Sequence, residues 1–234
     1  MKYHISFDIE LRKNRYKGLY IAFEGIDGVG KTTQANIVAT QLRKKGKEVI
    51  ITKEPTKNPP IGKLIHDFLK GKIKLPEVSV QYLFAADREI HQQELIEPAL
   101  KAGTVVIADR CFWSSVAYGI LDKKENLSLG RQDLKKLKNA DVLLVSESIL
   151  SFYHQFIVPD ITFYIQVSSK TALKRLASIK RKREYYETDE KLAGIKMGYD
   201  WLARKFPDHI VTINGEKPVG EVTGDIIKQL KLPK

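Results

Sequence analysis

LYIAFEGIDGVGKTT, residues 19–33, decides the fold. It opens on a short apolar run, Leu19 to Phe23, passes through a glycine-rich turn and ends in Lys31-Thr32, where a helical pattern begins. Gly25, Gly30, Lys31 and Thr32 fill the spacing G-x-x-x-x-G-K-[ST], that of a phosphate-binding loop between a strand and a helix. Glycines, Gly28 among them, let the backbone take positive φ and approach a phosphate closely. Successive N–H groups then form an anion nest at a helix N-terminus. Lys31 adds a point charge for β and γ phosphates, and the Thr32 hydroxyl can ligate Mg²⁺.

Outward from this loop, the chain reads as alternating strands and helices. Strands are expected at Val49–Thr52, Thr104–Ala108, Ile161–Val167 and His209–Ile213, in addition to the run at 19–23. Helical patterns follow the loop to about Lys45, put Ile61, Leu64, Ile65, Phe68 and Leu69 on one face, and run from about Glu77 to Ala102. Others start near Ser114, run from about Lys170 into Lys180–Arg183, include Leu192 to Phe206, and close the chain at Val219–Leu230. Such alternation gives an α/β parallel sheet covered on both faces. Residues 3–11 alternate with period 2, which predicts an edge strand or an oligomer contact in an N-terminal extension, 1–17. The Lys-rich stretch 122–147 reads as an insertion with a short helix around Leu134–Asn139.

Composition narrows the class. With 234 residues, the chain is expected to be one domain with small insertions. It is 43% hydrophobic and 29% charged, with no apolar run near the roughly 20 residues a membrane span needs. No signal peptide is visible, and a lone cysteine, Cys111, excludes an internal disulfide or a cysteine-based zinc cluster. A reducing cytoplasm fits. The net charge of +12 admits nucleic-acid binding, but the basic residues are scattered apart from Lys180–Arg183. A Lys-rich solvated surface, or steering of polyanionic nucleotides, accounts for it as well. Nucleic acid is therefore not the expected partner.

Asp109-Arg110 ends the third expected strand, where ligands bind in open parallel sheets. Asp109 can organise Mg²⁺ there, and Arg110 can hold a phosphate bidentately. The Lys180–Arg183 cluster reads equally as a basic helix end or as a segment that closes over a transferring phosphoryl group.

FEGIDGVGKTT (23–33), EPT…IGKLI (54–65), YLFAADR (82–88), DRCFWSSVAY (109–118), PDITFYI (159–165) and REYYE (183–187) together resemble the thymidylate kinase family of P-loop nucleoside monophosphate kinases. The resemblance implies a three-layer P-loop NTPase fold: a five-stranded parallel sheet with helices on both faces and a lid, here with an extra N-terminal strand. The kinase domain would span 18–234, with its lid at about 178–190. The implied activity is transfer of the γ-phosphoryl of ATP to dTMP with Mg²⁺, in a cytoplasmic homodimer. A kinase of the same fold acting on another acceptor, such as dUMP, dGMP or a nucleoside, is the alternative; a non-catalytic nucleotide- or nucleic-acid-binding protein is a second.

The same resemblance implies roles. Asp27 would accept the sugar 3′-hydroxyl, Phe84 stack on thymine, Arg88 bond the base carbonyl and Arg110 hold the acceptor phosphate. Tyr118 would pack under the deoxyribose, and Ser115 and Tyr186 complete the acceptor site. Gly25, Gly28, Gly30, Lys31, Thr32 and Thr33 would bind ATP. Arg175 would stack on adenine, beside the loop Asn214–Lys217. Gly28 stands where one branch of the family has an arginine, so Arg181 and Arg183 of the lid would join Lys31, Asp27 and Arg110 as catalytic residues. Thr32 and Asp109 would hold the metal. Lys53, Cys111, Gly119 and Gln166 depart from the residues common at their positions in the family.

Overall fold

The computed structural model describes residues 8, 10–126, 149–180 and 182–230. After β1 (Arg12–Lys13) come β2 (Tyr20–Glu24), α1 (Lys31–Lys44), β3 (Val49–Lys53), α2 (Ile61–Leu69) and α3 (Glu77–His91). A π-helical turn, Gln92–Ile96, joins α3 to α4 (Glu97–Ala102). Then follow β4 (Val105–Asp109), α5 (Trp113–Asn126), a helical turn at 149–153, β5 (Ile157–Val158) and β6 (Ile161–Gln166). The chain ends with α6 (Ser169–Ala177), α7 (Asp189–Lys205), β7 (Ile210–Asn214) and α8 (Val219–Gln229).

The five expected strands form one parallel sheet in the order β3-β4-β2-β6-β7. Its β4 strand explains why these strands read as unbroken apolar runs. Val105 and Ile107 pack into one buried cluster with α1 and α5 residues, whereas Val106 and Ala108 pack into a second with Leu100 of α4. Successive side chains point to opposite faces, and both faces are covered. The sheet is the middle of three layers.

Two helices differ from expectation. The long helix over 77–102 is interrupted by the π turn. Pro98, lying just after it, has no N–H to offer the carbonyl of Glu94 four residues back, which favours a wider turn there. The α6 helix does not run into the basic cluster; it stops at Ala177, where the Ser178 hydroxyl donates to the Arg175 carbonyl at 2.7 Å. Residues 178–188, apart from Arg181, which lies outside the described residues, form no helix or strand. This link is tied down at its far end: Tyr185 N–H donates to the Leu69 carbonyl at 3.0 Å, and the Tyr185 ring packs on Phe68.

The strand expected over 3–11 lies largely outside the described residues, and Asp8, Glu10 and Leu11 are in no strand. The first described pairing is β1 with β5, a parallel pair separate from the main sheet. Of the expected insertion, 122–126 continue α5; 127–148, with the helix expected at Leu134–Asn139, lie outside the described residues.

Candidate active site

All five strands point their carboxyl ends the same way, so the segments that follow them converge. The loop after β2 holds Gly25, Gly28 and Gly30 at φ of 135°, 84° and 99°. At Gly28 an ideal Cβ would sit 2.6 Å from the Ala172 carbonyl oxygen of α6, so both the backbone angle and the neighbour require glycine. No arginine fits there without displacing α6.

The Lys31 ammonium is buried and donates to the carbonyls of Gly25 and Ile26, each at 2.9 Å. Asp27 lies 3.8 Å away. Burial and the charge of Arg110 push the Lys31 pKa down to about 8, against the pull of Asp27 and Asp109. Burial pushes the half-buried Asp27 carboxyl up, but the charges of Arg110 and Lys31 outweigh it and bring it to about 2. Asp27 is therefore ionised across the neutral range.

Arg110 follows β4 at φ 81°, a left-handed conformation uncommon outside glycine. That turn buries its guanidinium, which donates to Asp27 Oδ1 at 2.6 Å, Tyr199 OH at 3.0 Å and the Gly25 carbonyl at 3.1 Å. Beneath it lies Glu24, the buried last residue of β2. Its carboxylate accepts from Cys111 N–H, Ser114 N–H, the Ser114 hydroxyl and the Tyr199 hydroxyl, at 2.7–3.1 Å. Cys111 thus points into this network and lines neither cavity described below.

Asp109 ends β4, and its Oδ2 accepts from the Thr32 hydroxyl. Lys53, which ends β3 in register with Asp109, lies 3.5 Å from the same oxygen. Burial raises the Asp109 pKa, but Lys31, Lys53 and Arg110 lower it more. Among the described residues Asp109 Oδ1 is buried without a hydrogen-bond partner. A hard oxygen-binding cation fits this pair: one carboxylate oxygen without a partner, one hydroxyl and a neighbouring phosphate loop. Mg²⁺ commonly takes one or two protein ligands and completes its shell with water and phosphate.

Two cavities meet here. One, of about 210 Å³, is lined by Asp27, Phe84, Arg88, Arg110, Ser115, Tyr118 and Tyr186, every residue expected to meet an acceptor. The other, of about 830 Å³, is lined by Gly28, Gly30, Lys31, Thr32, Thr33, Asp109 and Arg175, with Gly215 to Lys217. Asp27 and Lys53 line both. Gly25 lines neither, but its carbonyl accepts from both Lys31 and Arg110. Arg175 donates to the carbonyls of Gly215 at 2.9 Å and Val29 at 3.3 Å, and so ties α6 to the loops on either side. Arg183 is exposed and lines neither cavity, and Arg181 lies outside the described residues.

In the smaller cavity the Arg88 guanidinium lies 5.4 Å from the Phe84 ring centre and donates to Ser115 Oγ at 2.7 Å. Its Nε donates to the buried Glu54 at 2.5 Å. Tyr118 and Tyr186 meet edge to face at 4.8 Å. Sequence reasoning assigned no role to Lys53, Glu54, Glu24, Ser114 or Tyr199. Lys53-Glu54 at a strand end was a usable signal; the others depend on contacts between distant elements.

Comparison with known proteins places this geometry. The sequence pattern of the thymidylate kinase family matches residues 23–226. A probable thymidylate kinase of Thermococcus kodakarensis is 36% identical over 220 residues, covering 89% of this chain and 95% of its own. A thymidylate kinase of Thermoanaerobacter sp. is 30% identical over 216 residues, covering 92% and 98%. The solved structure of thymidylate kinase from Candida albicans, a protein described as having broad substrate specificity, superposes with a TM-score of 0.71 at 28% identity over 90% of both chains. Fold, phosphate loop and relatives agree, and the chain belongs to the thymidylate kinase family.

Proposed function

We propose that this protein transfers the γ-phosphoryl group of ATP to dTMP, giving ADP and dTDP. The observation that carries the proposal is the meeting of two cavities at Asp27 and Lys53, one lined by the phosphate loop and one by aromatic and arginine side chains. A donor in the larger cavity and an acceptor in the smaller would bring their phosphates together beside Lys31 and Arg110.

In this reading an oxygen of the dTMP phosphate attacks the γ-phosphorus, and the bond to the β–γ bridging oxygen breaks to release ADP. The acceptor is already an anion, so no side chain has to remove a proton. Catalysis is then positioning and charge neutralisation. Lys31 exchanges its loop carbonyls for β and γ phosphate oxygens, with the N–H groups from Gly28 to Thr33 around them. Arg110 holds the acceptor phosphate, its orientation fixed by Glu24, Asp27 and Tyr199. Asp27 takes the sugar 3′-hydroxyl, and Tyr118 packs beneath the sugar. Phe84 stacks on the base and Arg88 bonds its carbonyl, with Ser115 and Tyr186 closing the pocket. Arg175 and the loop 214–217 receive adenine.

Thr32 and Asp109 would hold Mg²⁺, which when bound would neutralise phosphate charge. Arg181 and Arg183 belong to a lid, 178–190, that would supply further charge on closing. A cytoplasmic homodimer is part of the same proposal. No helix among the described residues is long and apolar enough to cross a membrane. The direct test is product analysis after incubation with ATP, Mg²⁺ and dTMP. ADP and dTDP should form in equal amounts; ATP hydrolysis without dTDP contradicts the proposal.

A further inference from the structure

Arg88 does not stand alone behind the smaller cavity. Glu54 Oε2 accepts from Arg88 Nε at 2.5 Å, and Glu54 Oε1 meets His91 Nδ1 at 2.9 Å. His91 Nε2 in turn meets the Thr52 hydroxyl at 2.7 Å. Arg88, Glu54 and His91 are all buried, at 3%, 2% and 4% exposure. Arg88 and His91 are three residues apart on α3, hence on one face, and both reach the same carboxylate at the end of β3.

The chemistry fixes the direction of these bonds. An ionised carboxylate only accepts, and burial of Glu54 is outweighed by Arg88 and His91, which keep its pKa below the ordinary value. So His91 Nδ1 carries a proton and donates it. His91 Nε2 pairs with the Thr52 hydroxyl, which holds the ring's orientation from the sheet side. Glu54 is held by two donors, and Arg88 is held at Nε by Glu54 and at Nη1 by Ser115 and Tyr153. Among the described residues Arg88 Nη2 makes no hydrogen bond, which leaves it for a ligand in the cavity that Arg88 lines.

We infer that His91, seated on Thr52, is a positioning residue for the acceptor base: through Glu54 it sets the guanidinium of Arg88. This rests on the reading of Arg88 as the group that meets the base carbonyl. His91 itself does not line the smaller cavity. Its effect must therefore pass through Glu54 and fall on acceptor binding.

Steady-state kinetics on the full chain test the relay. His91→Leu keeps bulk and removes both nitrogens. It should raise KM for dTMP about tenfold, the worth of one hydrogen bond to a charged group, with kcat and the KM for ATP within about twofold. His91→Asn puts an amide N–H near the place of Nδ1 and should bring KM for dTMP back to within about threefold of wild type. A folded His91→Leu variant with unchanged KM for dTMP overturns the inference, and so does an Asn variant no better than Leu.

If His91→Leu does not fold, Thr52→Val decides. It removes only the hydroxyl that seats the ring, and should raise KM for dTMP about threefold, roughly one neutral hydrogen bond, without moving the KM for ATP. No change there overturns the inference. Arg88→Met separates the two levels. If it leaves KM for dTMP unchanged, the reading of Arg88 fails and the relay with it. If it raises KM while the His91 and Thr52 variants do not, the relay alone fails.

Discussion

Lys31 carries the phosphate loop's only ammonium, and its surroundings set when that charge is present. Buried against two carbonyls and facing Arg110, it has a pKa of about 8. Nucleotide phosphates stabilise the charged form, so they raise that pKa on binding. Above pH 8 the free protein has lost the proton and the complex has kept it, and binding then takes one up. ADP affinity should weaken about tenfold between pH 7 and pH 9 by this linkage. Calorimetry at pH 9 in buffers of different ionisation enthalpy should record proton uptake close to one per ADP. Binding at pH 9 with no uptake means the ammonium does not meet the phosphates. At this scale the sequence was legible where a residue sits inside a short motif. Phe84, Arg88 and Tyr118 were assigned through the resemblance that their motifs carry, Arg110 also from its place at a strand end, and all four line one cavity. Glu24, His91, Tyr153 and Tyr199 were not, because each acts through partners more than 30 residues away, with no local pattern to mark it.

Between α5 and α7 the spacing of two helices is set by glycines. Gly194 and Gly198 lie four apart on the face of α7 that meets α5. An added Cβ would lie 2.5 Å from Leu121 Cδ1 at the first and 2.6 Å from the Ala117 carbonyl oxygen at the second. This close approach matters because α5 carries Ser114, Ser115 and Tyr118, and α7 carries Tyr199, which bonds both Arg110 and Glu24. Gly198→Ala should force the helices apart and lower stability by about 1–3 kcal/mol, the usual cost of overpacking. Alanine otherwise favours a helix interior over glycine by roughly 0.5–1 kcal/mol. The sign of the change in urea midpoint therefore decides: a rise would mean the contact is not tight. Strands were the most legible elements, since each is rich in β-branched or aromatic residues, and the inner β2 and β4 are buried along their whole length. The π turn and the early end of α6 were not, because Pro98 and Ser178 act on hydrogen bonds that composition does not reveal.

The topology explains why two cavities lie side by side in one chain. β2 lies in the middle of the order β3-β4-β2-β6-β7, and its loop faces the crevice between the two halves of the sheet. Segments after β3 and β4, with α3 and α5, line the smaller cavity; α6 and the loop after β7 line the larger. The loop itself reaches into both through Asp27. The parallel sheet followed from the strand–helix alternation and the phosphate loop, so the architecture was readable from the sequence. The net charge of +12 did not discriminate between partners on its own, and the two cavities favour small anionic nucleotides. Acceptor choice is where the whole assembly is tested. The measurement is the initial rate of ADP release from ATP across a panel of nucleoside monophosphates. dTMP should give the highest kcat/KM. dUMP should follow about 10–100-fold lower, since one missing methyl in an apolar pocket is worth only about 1–3 kcal/mol. Purine monophosphates should fall below both. A purine monophosphate preferred over dTMP, or no dTMP-dependent ADP at all, contradicts the account.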